Sequence, residues 1–172
     1  RRVYGPDLML ALCARSATTG HRHYFYGGAP GVPEQLASVL CGTFPGIRIA
    51  GAFSPPFRPL SAEEKEGVIR DIDRSDADIV WVGLGTPKQE TWMAEFTRRL
   101  QAPVLIGVGA AFDFLTGRKP QAPLWMQRTG LEWLFRLMSE PKRLWRRYLY
   151  NNPRFILRMT AQMLGWKRYS IE

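Results

Sequence analysis

Between His23 and Val108 the spacing of apolar residues switches repeatedly between a strand-like and a helical period, and few folds accommodate that alternation. His23 to Tyr26 is short and aromatic like a buried strand, Gly27-Gly28-Ala29-Pro30-Gly31 is a turn, and Val32 to Phe44 reads as a helix ended by Pro45-Gly46. Ile47 to Phe53 is a second strand, followed by a helix from Ser61 to Ser75, capped by Ser61 with Glu63 and Glu64 in its first turn. Asp78 to Leu84 is a third strand and Pro87 to Leu100 a helix. Pro103 to Val108 is a fourth strand, whose unbroken apolar character calls for cover on both faces. A helix from Pro6 to Thr18, stopped by Gly20, precedes the series. The expected fold class is α/β: a Rossmann-like, doubly wound, mainly parallel sheet flanked by helices, binding ligands beyond the carboxyl ends of its strands.

After Gly117 the strands cease. Pro123 to Glu140 and Pro141 to Trp166 read as two or three helices, with Pro141 and Pro153 as breaks. The expected organisation is a Rossmann-like ligand-binding body over residues 1–117 and a helical appendage over residues 118–172. The net charge of +9 follows the same division, with 12 basic and 12 acidic side chains before residue 118 and 12 basic and 3 acidic after it. A balanced body with a basic, aromatic-rich tail predicts that the tail meets a negatively charged partner. Cys13 and Cys41 lack the spacing of a disulfide framework or a zinc site and suit a reducing, cytosolic compartment. No run approaches the roughly 20 apolar residues of a membrane span.

Three segments at strand ends are candidates for chemistry. Gly27, Gly28 and Gly31 follow a strand and open a helix, a setting in which backbone amides and a helix N-terminus can take a diphosphate. A tight turn that binds nothing has the same composition. A dinucleotide fingerprint also wants an acidic residue at the end of the next strand, and Gly51-Ala52-Phe53-Ser54 has none, which argues against NAD. In Gly83-Leu84-Gly85-Thr86-Pro87-Lys88-Gln89-Glu90, Thr86 is expected as N-cap, Pro87 as the first helical residue and Gln89 as the capping-box partner. The same geometry points Lys88 and Gln89 at the ligand crevice. The third segment, Gly107 to Gly117, carries Asp113 as its only carboxylate, suited either to sugar or ribose hydroxyls or to bracing the loop. Asp71-Ile72-Asp73 and Asp76-Ala77-Asp78 have the D-x-D spacing of metal-dependent glycosyltransferases but fall at the wrong end of the sheet, so no metal is expected. His21 and His23 are expected in an exposed loop and at a strand edge.

In the tail, Arg136, Arg143, Arg146 and Arg147 interleave with Trp133, Leu134, Trp145 and Tyr148, and Phe155, Met159, Met163 and Trp166 make one stripe on a helix flanked by Arg154, Arg158, Lys167 and Arg168. Such a face suits a membrane interface, although a core-facing helix with a solvated basic side reads alike. Arginine forks also suit diphosphates.

Taken together, Arg2-Val3 with Gly5-Pro6-Asp7-Leu8, Gly27-Gly28 through Gly31-Val32, and Gly85-Thr86-Pro87-Lys88-Gln89-Glu90 with Trp92 form an ordered set. It continues with Gly107-Val108-Gly109, Phe112-Asp113, Ala122-Pro123 with Trp125, and Gly130 to Leu137 followed by Glu140-Pro141. This set resembles the WecG/TagA/CpsF glycosyltransferases, an inverting family. The resemblance implies transfer of N-acetylmannosamine or its uronic acid from a UDP donor to a polyprenyl-diphosphate-linked N-acetylglucosamine, in teichoic acid, common antigen or exopolysaccharide synthesis. The enzyme would be peripheral on the inner face of the bacterial cell membrane, attached through its C-terminal helices. Neither metal nor other cofactor is implied.

By the same resemblance Gln89 lies in the active-site pocket and Arg136, Arg143 and Arg146 close over it and neutralise the diphosphates, which makes these four the expected catalytic residues; Gly27, Gly28, Gly31, Thr86, Lys88 and Asp113, from the strand-end segments above, are the expected substrate-binding residues. The family's general base is an aspartate in an Asp-Gly motif ahead of the segment matching Arg2-Val3. This sequence starts after that motif, so the chain is expected to be an N-terminally truncated and nearly inactive fragment. The rival from another class is a nonenzymatic basic module on nucleic acid or anionic membrane, although nucleic acid is not an expected partner. A homo-oligomer formed through the body is compatible with the sequence.

Overall fold

The structure is a computed structural model that describes residues 3–166. The chain divides into two compact units, residues 1–119 and 120–172.

The first unit is built on four parallel strands, β1 (Arg22–Gly27), β2 (Arg48–Phe53), β3 (Ile79–Gly83) and β4 (Val104–Gly107), in the order β2-β1-β3-β4. The helices between them are α2 (Val32–Thr43), α3 (Ala62–Arg74) and α4 (Lys88–Phe96), with α1 (Gly5–Thr19) ahead of β1 and the short α5 (Ala111–Leu115) after β4. The α/β fold expected from the alternating periods is the fold observed. Side chains alternate across the strands, so each face of the sheet has its own core. On one face Phe25, Ile79 and Trp81 pack with Met9 and Cys13 of α1, Leu36 and Leu40 of α2, and Phe112 of α5. On the other, Tyr24, Tyr26, Val80 and Val82 pack with Val68, Ile69 and Ile72 of α3 and Trp92 and Phe96 of α4. On this second face Tyr26 stacks on Trp92 and Trp92 on Phe96, each at 4.3 Å between ring centroids.

Local chemistry fixes the ends of several elements. Gly20 ends α1 in the left-handed conformation. Ser61 caps α3 through a complete capping box: its hydroxyl accepts the Glu64 amide at 3.2 Å, and the Glu64 carboxylate accepts the Ser61 amide at 2.8 Å. At the amino ends of the strands, Asp78 accepts the Arg22 amide at 2.7 Å and Asp76 pairs with the Arg22 guanidinium at 3.2 Å. Asp73 accepts the Gln101 amide at 2.9 Å. These D-x-D carboxylates thus tie down the edge opposite the strand carboxyl ends.

Three expectations need correction. His23 is no edge residue: it is fully buried, and its Nδ1 accepts the indole N–H of Trp81 at 2.9 Å. Its pKa is lowered to about 4, first by burial and then by the neighbouring His21. The segment before α4 also differs. The helix begins at Lys88 with Pro87 as its N-cap, the Thr86–Pro87 peptide is cis, and the Thr86 hydroxyl bonds the Glu90 carboxylate at 3.0 Å instead of capping an amide. The third correction lies in the second unit. There α6 (Leu124–Arg128) and α7 (Glu132–Ser139) precede a 23-residue α8 (Pro141–Met163) that runs through Pro153 unbroken. The proline deletes one hydrogen bond, but a regular ladder on both sides of it carries the helix onward. Pro141 sits at the start of α8, where a missing N–H costs nothing.

In the second unit Trp133 of α7 meets Tyr148 of α8 edge-on, 5.9 Å between centroids. Much of the rest of its apolar surface is open, including Trp125, Leu149, Phe155, Ile156, Met163 and Trp166. Among the described residues no helix is long and apolar enough to cross a membrane.

Candidate functional site

In an open parallel sheet the crevice for ligands forms where successive connections leave in opposite directions along the sheet. Here the chain passes from β1 outward to β2, then returns across β1 to β3, so the switch lies between β1 and β3. Their last residues, Gly27 and Gly83, are register partners. A Cβ on Gly27 would stand 2.7 Å from the Gly83 carbonyl carbon, and a Cβ on Gly83 would stand 2.9 Å from the Phe112 ring. The Gly28 amide donates to the Gly83 carbonyl at 3.0 Å. Two glycine-bearing strand ends are thereby locked together, with Phe112 packed beneath them.

Beyond Gly28 the turn leads directly into α2. Gly31 is its N-cap, left-handed at φ 83°, with nothing within 4 Å of a Cβ built on it. Two amides of this segment are committed within the protein, that of Gly28 to Gly83 and that of Val32 to the Ala29 carbonyl. Pro30 and Pro33 have none, and the positive end of the α2 dipole opens on this turn.

The next strand exit adjoins this turn. Ser54, just past β2, donates its hydroxyl to the Ala29 carbonyl at 2.9 Å. Farther along, the Arg58 guanidinium grips both oxygens of Glu64, at 2.7 and 2.5 Å, and also donates to its neighbour's carbonyl, Pro59. The Glu64 carboxyl is held down at about 2, first by Arg58 and then by the Ser61 amide.

On the other side of the switch, Gln89 in the first turn of α4 reaches the exit of β4. Its side-chain oxygen accepts the Gly109 amide at 2.8 Å, and its nitrogen lies 2.2 Å from where a Cβ of Gly107 would be. Lys88, beside it, is exposed. Asp113 sits on α5 and pairs with Lys119 at 3.1 Å.

The fold thus gathers Gly27, Gly28, Gly31, Thr86, Lys88, Gln89 and Asp113 at or just beyond the carboxyl ends of β1, β3 and β4. Arg136 and Arg146 lie in the second unit. Arg136 pairs with Glu132 one turn back at 3.3 Å, and the Arg146 guanidinium lies 5.4 Å from the Trp145 ring centroid. The Arg143 side chain lies outside the described residues. Sequence reasoning placed Gly83 and Gly107 in candidate segments but gave neither the close contact it makes, Gly83 with Gly27 and Gly107 with Gln89. Their role depends on strands and helices remote in the chain, and the only local signal was a glycine at each strand end.

The model of the family described as Glycosyl transferase WecG/TagA/CpsF matches residues 1–169 of the 172. Family members are glycosyltransferases of cell-surface polysaccharide synthesis that use a sugar-nucleotide donor and a lipid-linked acceptor. A match over nearly the whole chain, on a parallel sheet with a glycine-lined switch point, assigns this protein to the WecG/TagA/CpsF glycosyltransferase family.

Proposed function

We propose that this chain handles the donor in an inverting transfer of N-acetylmannosamine, or its uronic acid, from UDP to a polyprenyl-diphosphate-linked N-acetylglucosamine. The observation that carries the reading is the pairing of Gly27 with Gly83 beside the N-terminus of α2. It clears side chains from the switch point and leaves a helix dipole to meet a diphosphate. Loss of UDP builds negative charge on the β-phosphate, and groups fixed in advance around that charge lower the barrier. Gly27, Gly28, Gly31, Thr86, Lys88 and Asp113 are assigned to the donor, and Gln89 to the pocket. Arg136, Arg143 and Arg146 are assigned to charge neutralisation. No metal is invoked. The general base is assigned to the family's Asp-Gly segment.

The second unit supports peripheral attachment to an anionic membrane surface. Exposed Leu149, Phe155, Ile156 and Met163 share α8 with Arg146, Arg154 and Arg158, as an interfacial helix requires.

The test is transfer of labelled N-acetylmannosamine from UDP to a short-chain lipid diphosphate N-acetylglucosamine, with this chain and with the chain extended by an Asp-Gly segment. Transfer by the extended chain, lost on Arg143→Ala, supports the reading. No transfer from any UDP-sugar by either chain, on acceptors of several lipid lengths, counts against it.

A further inference from the structure

An exposed phenylalanine is ordinary on a protein surface; Phe57 is distinguished by how and where it is held. It is 80% exposed in the segment Ser54-Pro55-Pro56-Phe57-Arg58-Pro59, which leaves the carboxyl end of β2. Three prolines stiffen that segment, and both of its ends are tied. The Ser54 hydroxyl is bonded to Ala29 in the glycine turn, and Arg58 is forked onto Glu64, which closes the capping box of α3. The aromatic ring is therefore presented to solvent at little further cost in conformational entropy.

Its place follows from the direction a nucleotide takes in this architecture. With the diphosphate at the N-terminus of α2, the nucleoside of a Rossmann-type ligand extends over the exit of the neighbouring strand, which here is β2. Strand β2 ends at Phe53 and is followed by Ser54, without the carboxylate that would fix a ribose by hydrogen bonds. An aromatic face supplies the alternative, stacking on the base. Resting on the donor reading above, we propose that Phe57 is the stacking platform for the nucleobase of the nucleoside-diphosphate donor. It then contributes to nucleotide affinity without touching the phosphates.

The experiment compares wild type, Phe57→Ala and Phe57→Trp by calorimetric titration with UDP and, separately, with inorganic pyrophosphate. Stacking predicts that Phe57→Ala weakens UDP binding roughly 5- to 150-fold, leaves pyrophosphate binding unchanged, and that Phe57→Trp restores UDP binding. Unchanged UDP affinity in Phe57→Ala overturns the assignment. An equal loss for UDP and pyrophosphate also overturns it, because the ring would then be shaping the phosphate turn. Wild type binding neither ligand sinks the donor reading itself, and this inference with it.

Discussion

Gln89 and Gly109, 20 residues apart in sequence, join the exits of β3 and β4: the side-chain oxygen of Gln89 accepts the Gly109 amide at 2.8 Å, beside the backbone of Gly107. Gly107 leaves room for it, since a Cβ there would overlap the end of the Gln89 side chain and force it to shift. Gly107→Ala is expected to displace Gln89 and cost about 1–3 kcal/mol as an overpacking change. Gln89→Ala in the same chain removes the clash, so the double variant should be less destabilised than the sum of the two singles. Urea denaturation of the four proteins measures this, and strict additivity would refute the contact.

The paired strand ends make a second, graded prediction. Gly27 has φ 121° and no room for a Cβ against the Gly83 backbone, whereas Gly31 has φ 83° and open space. Gly27→Ala should therefore cost more than Gly31→Ala, which bears only the left-handed penalty of about 1–2 kcal/mol. Thermal unfolding ranks the two, and equal midpoints would contradict the close approach of β1 to β3.

The capping box on α3 predicts that Ser61→Ala costs about 1 kcal/mol. Chemical denaturation reads this directly.

His23 makes the stability depend on pH. Its pKa is about 4 in the fold, held down by burial and then by His21, against 6.5 when unfolded. Between those values the unfolded chain binds the extra proton, so the contribution is intact above pH 6.5 and is lost as pH falls toward 4. The slope reaches at most about 1.4 kcal/mol per pH unit. Protonation would also place a hydrogen on the Nδ1 that accepts from Trp81. Urea midpoints of wild type and His23→Phe across pH 7 to 4 isolate the effect: the wild-type curve should fall more steeply, and parallel curves would contradict it.

The parts of this architecture that were readable from sequence are those set by local period. The Gly20 stop and the Ser61 cap each declare themselves within a few residues, whereas the apolar run of β4 marked a strand but not its place: it lies at the sheet edge with Val104 exposed, not fully covered on both faces. What escaped depends on partners far along the chain. His23 looked like an edge residue because its burial is set by Trp81, 58 positions away. Pro153 looked like a break because local rules record the hydrogen bond it deletes and not the helix on either side. At Thr86-Pro87 the residue types of a capping box were present, but the helix starts at Lys88, and Gln89 turns to Gly109 instead of back to the cap. The candidate site was accordingly legible as glycines at strand ends, while the Gly27–Gly83 contact and the clamp on the Phe57 loop were not.

The most direct test of the central claim, that the α2 N-terminus beside the Gly27–Gly83 pair receives a nucleoside diphosphate, is UDP titration of wild type, Gly31→Asn and Gly31→Asp. Asparagine and aspartate tolerate the left-handed conformation similarly, are nearly equal in size, and start from a Cβ position with nothing within 4 Å of it. They differ chiefly in charge. The account predicts UDP binding by wild type and Gly31→Asn, and a loss of roughly tenfold or more in Gly31→Asp, from a carboxylate set against the diphosphate. Equal UDP affinity in the asparagine and aspartate variants would place the nucleotide elsewhere and contradict the account.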